Sequence, residues 1–225
     1  MKIAIDGTAS SGKGTLAKRA AVRLSYSYID TGAIYRAVAY CSRRNGISWE
    51  RGDEVAELAS SLSVSFVFDK GTFHIKVDGE RLTDELRQED IGQGASIVSA
   101  HSSVRQALVG LQRSAAESMD VEHGGVLMDG RDIGSVILKN ADLKIYVDAD
   151  VNVRAHRRFK QLSEGGQDLN FTYEDVLKDL IERDERDKNR ATAPLVRCHD
   201  AVILDTTSLT IEQSVDQIVK WAQNI

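Results

Sequence analysis

The stretch Gly7-Thr8-Ala9-Ser10-Ser11-Gly12-Lys13-Gly14-Thr15 constrains this chain more than any other. It follows the short apolar run Ile3-Ala4-Ile5-Asp6 and leads into a helical pattern over about 13 to 24. A strand, a glycine loop and a helix in that order are the setting of a phosphate-binding loop. There the backbone N–H groups turn inward on phosphate oxygens and the helix adds its positive end. Gly7 and Gly12 allow turns closed to residues with a Cβ, and Lys13 carries a mobile charge toward the β- and γ-phosphates of a nucleotide. A surface glycine loop with a solvated lysine is the bland alternative, and the spacing after a strand weighs against it.

Five short apolar runs end in aspartate, at Asp6, Asp30, Asp129, Asp148 and Asp205. Separated by helical stretches, they read as buried strands of a parallel sheet covered on both faces, so the fold class is α/β. Ligands of such sheets sit at the carboxyl ends of the strands. Asp6 and Asp129 are therefore site candidates, one abutting the loop and the other opening Asp129-Gly130-Arg131-Asp132, whereas Asp148 and Asp205 read as capping residues. Helices are expected over about 33 to 45 and along the stripe Val104, Ala107, Leu108, Leu111, Ala115, Met119, which Gly124-Gly125 would end.

Between them the pattern turns to alternation. Val64 to Thr83, with turns at Asp69-Lys70-Gly71 and Asp78-Gly79, predicts a three-stranded antiparallel meander flanked by helices near 53 to 62 and 84 to 93. The chain thus divides into a core of residues 1–46, 104–153 and 191–225, an insertion at 47–103 on the substrate side, and an arginine-rich lid at 154–190. The lid carries Arg154, Arg157 and Arg158, a Gly165-Gly166 break, and the run Glu182 to Arg190, in which Arg183, Asp187 and Arg190 are spaced for one helical face. On this segment alone a solvated helix laced with ion pairs is the favoured explanation, and the phosphate loop reverses that preference because a phosphoryl-transfer site needs several cations beyond one lysine.

Composition excludes other classes. With 225 residues and a net charge of -5, the chain has room for one core plus an insertion, and its acidic balance argues against a nucleic-acid partner. Cys41 and Cys198 form no framework or metal pattern and read as reduced thiols of a cytoplasmic protein. Met1-Lys2 enters the first strand directly, leaving no room for a signal peptide, and no run is long enough to span a membrane. His74, His101, His123, His156 and His199 show no ligand spacing.

Taken together, the segment Ile3 to Thr15, with Gly14 between the lysine and Thr15, the run Asp30-Thr31-Gly32-Ala33-Ile34-Tyr35-Arg36, the turn Asp129 to Asp132, the basic run Arg183 to Arg190 and the long insertion resemble the bacterial cytidylate kinases over nearly the whole chain. The resemblance implies a P-loop kinase fold with strand order 2-3-1-4-5. It implies transfer of the ATP γ-phosphoryl group to CMP or dCMP in pyrimidine nucleotide metabolism, by a monomer. ATP would lie on Gly7, Thr8, Ala9, Ser10, Ser11, Gly12, Lys13, Gly14 and Thr15. Arg36, Arg131 and Arg190 would hold the acceptor phosphate, and Thr31 is a further substrate-binding candidate, whereas Tyr35 either stacks on the acceptor or packs in its helix. Asp187, near Arg183, would meet the sugar hydroxyls, and Ser96, Arg105 and Asp132 would read cytosine. Lys13, Arg131, Arg158 and Arg183 are the candidates for charge stabilisation, and Mg²⁺ would have Thr15 and Asp129 as partners through water. Thr8 departs from the family, where proline is usual, so a more mobile loop with no lost side-chain ligand is expected.

Three other readings remain at this point. One is a P-loop kinase for a different acceptor. Another is a GTP-binding switch, for which the only guanine-reading match is the reversed Lys139-Asn140-Ala141-Asp142. The last is a catalytically silent nucleotide-binding module.

Overall fold

The computed structural model describes residues 1–69, 72–164 and 171–225. β1 (Lys2–Gly7) runs through the loop into α1 (Lys13–Leu24), followed by β2 (Ser27–Asp30) and α2 (Thr31–Arg44). Next come α3 (Gly52–Ser61), the meander β3 (Val64–Asp69), β4 (Thr72–Val77) and β5 (Glu80–Leu82), then α4 (Glu89–Val98) and α5 (Ser102–His123). The chain closes with β6 (Val126–Gly130), β7 (Leu143–Asp148), α6 (Val151–Glu164), α7 (Tyr173–Asn189), β8 (Val202–Asp205) and α8 (Ile211–Gln223).

All five aspartate-ended runs are strands of one sheet, ordered β2-β6-β1-β7-β8 and parallel throughout. Counted among themselves this is the expected order 2-3-1-4-5. Successive side chains of β1 point to opposite faces, as the pleat requires. Ile3 and Ile5 pack with Leu16, Ala20 and Ile218 of α1 and α8, while Ala4 packs with Ile29, Ala116 and Met128 under α5. Both faces are covered, which is why β1 reads as a continuous apolar run. In register, Asp6 lies opposite Gly130 of β6 and Tyr146 of β7. The loop after β1 and the Arg131-Asp132 turn therefore leave the sheet side by side.

β3, β4 and β5 form a separate antiparallel sheet in that order. Its buried Ile75, Val77 and Leu82 share a core with Ile34 and Val38 of α2, Val98 of α4 and Val104 of α5. The β4–β5 turn is built on Asp78 and Gly79, both with positive φ at 51° and 84°, the left-handed pair a two-residue hairpin needs. The turn expected at Lys70-Gly71 and the break expected at Gly165-Gly166 lie outside the described residues. One helix falls differently from expectation. Instead of a helix over 84 to 93, a 3-10 turn at Asp84–Arg87 stops at extended Gln88, and α4 begins at Glu89. Glu89 and Asp90 suit a helix N-terminus better than its middle.

Candidate active site

The glycine loop lies where β1 leaves the sheet. Gly12, with φ 85°, caps α1, no side chain caps that helix, and its first turn holds no acidic residue, so its N-terminal field is open to an anion. Gly7 is needed for a different reason than the expected turn. A Cβ there would stand 2.0 Å from the Val147 carbonyl oxygen of β7. Lys13 is buried, and its Nζ donates to the loop carbonyl of Thr8 at 3.3 Å.

A collar of side chains holds the first half of the loop. Thr8 Oγ1 donates to Asp148 Oδ1 at 2.7 Å, so the residue expected to loosen the loop supplies a tether that proline lacks. The Ala9 N–H donates to Asp184 Oδ1 at 2.9 Å, while the Ala9 carbonyl accepts from Arg154 Nη1 at 2.9 Å. Arg154 and Asp184 also pair directly at 2.6 Å. Asp6 serves the neighbouring turn: its two oxygens accept the N–H groups of Ile133 and Gly134, each at 2.8 Å, and so fix the segment that follows Asp132. Asp205 accepts from the Thr207 N–H in the capping role read from sequence. Asp142 accepts the Lys2 N–H at 2.7 Å, which makes Lys139 to Asp142 a polar turn tied to the start of the central strand β1.

Loop and turn open into one cavity of about 360 Å³, lined by Ser10, Gly12, Lys13, Gly14 and Thr15 on one side and by Ser96, Arg105, Arg131, Asp132, Asp187 and Arg190 on the other. Thr31, Tyr35, Arg36 and Arg183 line it as well. Arg105 pairs with Asp132, both buried, and its guanidinium lies 5.3 Å from the Tyr35 ring centroid. Arg131 Nε donates to Asp187 Oδ2 at 2.7 Å. Arg190 stands 3.7 Å from Asp187 and 3.8 Å from Asp132. It lies just beyond α7 with ψ 141°, so it is brought in by the chain's exit from the helix and not by a shared helical face. Arg36 Nη2 donates to Asp30 at 2.6 Å, and Thr31 Oγ1 to the Asp129 carbonyl at 2.7 Å. Arg158 does not line this cavity. It bonds Glu89 of α4 and lines an adjoining space of about 740 Å³ that also reaches Thr15, Lys18 and Arg183.

Six cationic side chains against four carboxylates line the main cavity, and two buried donors there, Arg105 Nε and Arg190 Nη2, have no hydrogen-bond acceptor among the described residues. Buried donors left without a partner mark a place where a ligand supplies one. The unbalanced charge also displaces titrations. Burial and Arg131 lower Lys13 to about 7, although Asp129 opposes them. Burial and then Asp30 raise Asp129 to about 6. Burial and Arg131 lower Arg183 to about 10. Burial alone would raise Asp187, but Arg131 and Arg183 hold it below the usual carboxylate range. Strongly displaced groups gathered in one cleft are the electrostatic mark of a functional site, here one short of negative charge.

The residues fit magnesium that arrives with a nucleotide. Among the described residues no three acidic, histidine or cysteine side chains converge as a resident cage. The Thr15 hydroxyl and the carboxylates of Asp129 and Asp30 line the same cavity beside the loop, and Asp129 Oδ1 accepts from the Tyr28 hydroxyl at 2.7 Å. A hydrated ion held mainly by phosphates needs no more.

Sequence reasoning missed Arg154 and Asp184 as loop partners, and it missed Arg186, whose Nη1 donates to Ser96 Oγ at 2.7 Å. A signal was present for Asp184. The buried positions of α7 are Val176, Leu180, Asp184 and Asp187, a helical stripe that turns from apolar to acidic where it reaches the loop.

The family model described as cytidylate kinase matches residues 3–224 of this chain. A cytidylate kinase of Neisseria gonorrhoeae is 42% identical, with 99% of this chain and 97% of that protein covered. One from Klebsiella pneumoniae is 41% identical over 98% of this chain and 94% of its own length. Among solved structures, an uncharacterized protein from Eubacterium ventriosum superposes with a TM-score of 0.53 at 11% identity, covering 100% of this chain and 99% of that one. TT1252 from Thermus thermophilus gives 0.50 at 16% identity, covering 100% and 96%. At such identities the likeness shows the fold alone.

Proposed function

The chain belongs to the cytidylate kinase family, and from that premise and the geometry of the cleft we infer how it works. It is an ATP-dependent phosphotransferase that moves the γ-phosphoryl group of ATP to CMP or dCMP, giving ADP and CDP or dCDP. The observation that carries the reading is the single cavity in which the glycine loop faces the Arg105–Asp132 pair.

ATP phosphates lie on the backbone of Gly7 to Thr15 and the open end of α1, with Lys13 reaching the β- and γ-phosphates. CMP lies opposite. Its exocyclic amino group donates to Asp132, and its ring acceptors take hydrogen bonds from Arg105 and Ser96. Uracil would set an oxygen against the carboxylate, a mismatch of about 1–3 kcal/mol. Arg36, Arg131 and Arg190 hold the acceptor phosphate, with Thr31 and Tyr35 beside it, and Asp187 with Arg183 meets the sugar. No residue acts as a covalent nucleophile, because the acceptor oxygen is already anionic. The protein brings two polyanions together and covers the spreading charge with Lys13, Arg131 and Arg183. Arg158 joins them if α6 moves inward from Glu89. Mg²⁺ arriving with the nucleotide would have Thr15 and Asp129 as its partners through water and would supply further charge neutralisation. Residues 154–190 act as a lid that excludes water and so favours transfer over hydrolysis, and 47–103 as the acceptor-side subdomain. The unpaired Cys41 and Cys198 and the acidic charge balance support a cytoplasmic protein that works on small molecules as a monomer, with no nucleic-acid or membrane partner. No described helix is long and apolar enough to cross a membrane.

The test is coupled ADP release with ATP and Mg²⁺ against CMP, dCMP, UMP, AMP and GMP, with a control lacking acceptor. Turnover concentrated on CMP and dCMP is expected. A better rate with another base, or ADP release that ignores the acceptor, overturns the assignment.

A further inference from the structure

A loop that must hold a polyphosphate has carboxylates built against it. Asp184 lies at the loop's back, 5% exposed, with Oδ1 on the Ala9 N–H at 2.9 Å and Oδ2 on Arg154 Nη1 at 2.6 Å. Arg154, also 5% exposed, spends Nε on the Ala149 carbonyl and Nη1 on the Ala9 carbonyl, each at 2.9 Å. Both polar backbone atoms of Ala9, one in each of its flanking peptide groups, are therefore gripped by one buried ion pair. Thr8, the residue before it, is tied to Asp148.

The arrangement carries two physical demands. A buried carboxylate left alone near phosphates would repel them, so Asp184 is tolerable there only while Arg154 neutralises it. An amide N–H donating backward to Asp184 cannot also swing forward, so the peptide at Ala9 is fixed before any nucleotide arrives, and the positive φ of Ser10 at 56° follows directly in the chain. Preorganised dipoles act without reorganising during the reaction. Arg154 is on α6 and Asp184 on α7, so the roots of both helices are bound to the loop they face.

We propose that Arg154 and Asp184 are positioning residues for the donor nucleotide: a neutral clamp that sets the phosphate loop through Ala9 and couples it to α6 and α7. The inference rests on the reading that ATP phosphates occupy this loop. Neither residue lines the cavity itself, and the clamp reaches it through the loop, by the Ala9 N–H and the Ala9 carbonyl.

Isothermal titration of ATP and, separately, of CMP tests it on the wild type, Asp184→Asn, Arg154→Gln and the double variant. Wild-type protein that fails to bind ATP removes the underlying reading and this inference with it. Asparagine keeps the shape but must set its amide N–H against either the Ala9 N–H or Arg154. The expected result is ATP affinity lower by about five- to twenty-fold in Asp184→Asn. The loss is greater in Arg154→Gln, where the buried carboxylate has lost its counter-charge, and partly restored in the double variant. CMP affinity stays within about two-fold throughout, and the Ala9 amide exchanges faster with solvent in Asp184→Asn. Equal weakening of both ligands, or a fall in melting temperature with ATP affinity kept, overturns the proposal and leaves a merely structural ion pair. Should those variants fail to fold, Arg154→Lys keeps the counter-charge of Asp184 but cannot hold the Ala9 and Ala149 carbonyls together. It then decides the matter by the same criterion, a few-fold loss confined to ATP.

Discussion

The two walls of the cleft are made in opposite ways. On the donor side of the proposed reading, the working groups are backbone amides at a helix end, and the side chains of Thr8, Asp148, Arg154 and Asp184 hold the loop from behind. On the acceptor side, the working groups are long side chains, Arg105, Asp132, Arg131, Asp187 and Arg190, and they are held chiefly by one another. A wall of amides is rigid because the fold makes it so and is indifferent to which base rides on the phosphates. A wall of mutually paired ions is specific, and it is sensitive to the loss of any one member, since each removal leaves a buried charge behind.

The contrast breaks most sharply at Lys13, a buried donor-side side chain that works forward. Lys13→Met is expected to lower kcat by about 10³-fold or more while CMP still binds, as single-turnover kinetics and titration together will show. On the acceptor side, Arg105→Met strands the Asp132 carboxylate and should raise KM for CMP by about 10- to 100-fold with KM for ATP little changed. Asp132→Asn, a milder change, is expected to reduce the preference for CMP over UMP by about 10-fold, read from the ratio of kcat/KM values.

The walls differ in protonation too. Lys13 is lowered to about 7, so at pH 8 it is largely neutral in the free protein and becomes charged when phosphates surround it. ATP binding at that pH should take up close to one proton, and the uptake should fade below pH 6, where the lysine is already charged. Arg183, at about 10, stays charged across this range and contributes none. Titration in two buffers of different ionisation enthalpy measures the difference. Smallest of all is a change distant from both walls. Gly124 ends α5 at φ 71° with open space around it, so Gly124→Ala should cost about 1 kcal/mol, a melting shift of roughly 2–4 °C, with activity unchanged.

The same contrast explains what could be read in advance. The donor wall is contiguous in sequence, from Ile3 to Thr15, and its chemistry lies in glycines, one lysine and a preceding strand, all visible locally. The sheet was legible for a similar reason, since five apolar runs ending in aspartate leave little choice of architecture. The acceptor wall gathers Ser96, Arg105, Asp132 and Arg190 from α4, α5, the turn after β6 and the end of α7. Family resemblance placed them together where spacing alone could not. Composition hid the clamp altogether: Asp184 sits between Arg183 and Glu185 in a run where charge says surface, and only its place in the stripe after Val176 and Leu180 says interior. Asp6 shows that such a position can also serve structure. A strand-end carboxylate beside the loop reads as a site candidate, and its two oxygens accept backbone N–H groups of the next turn.

Two arms cross from the α6–α7 pair to α4: Arg158 to the carboxylate of Glu89, and Arg186 to the hydroxyl of Ser96. They are chemically unequal. Dissolved salt screens the first, a partly exposed ion pair, but has little hold on the second, whose acceptor is neutral. Raising the ionic strength is therefore expected to weaken the Arg158–Glu89 arm while leaving the Arg186–Ser96 arm in place.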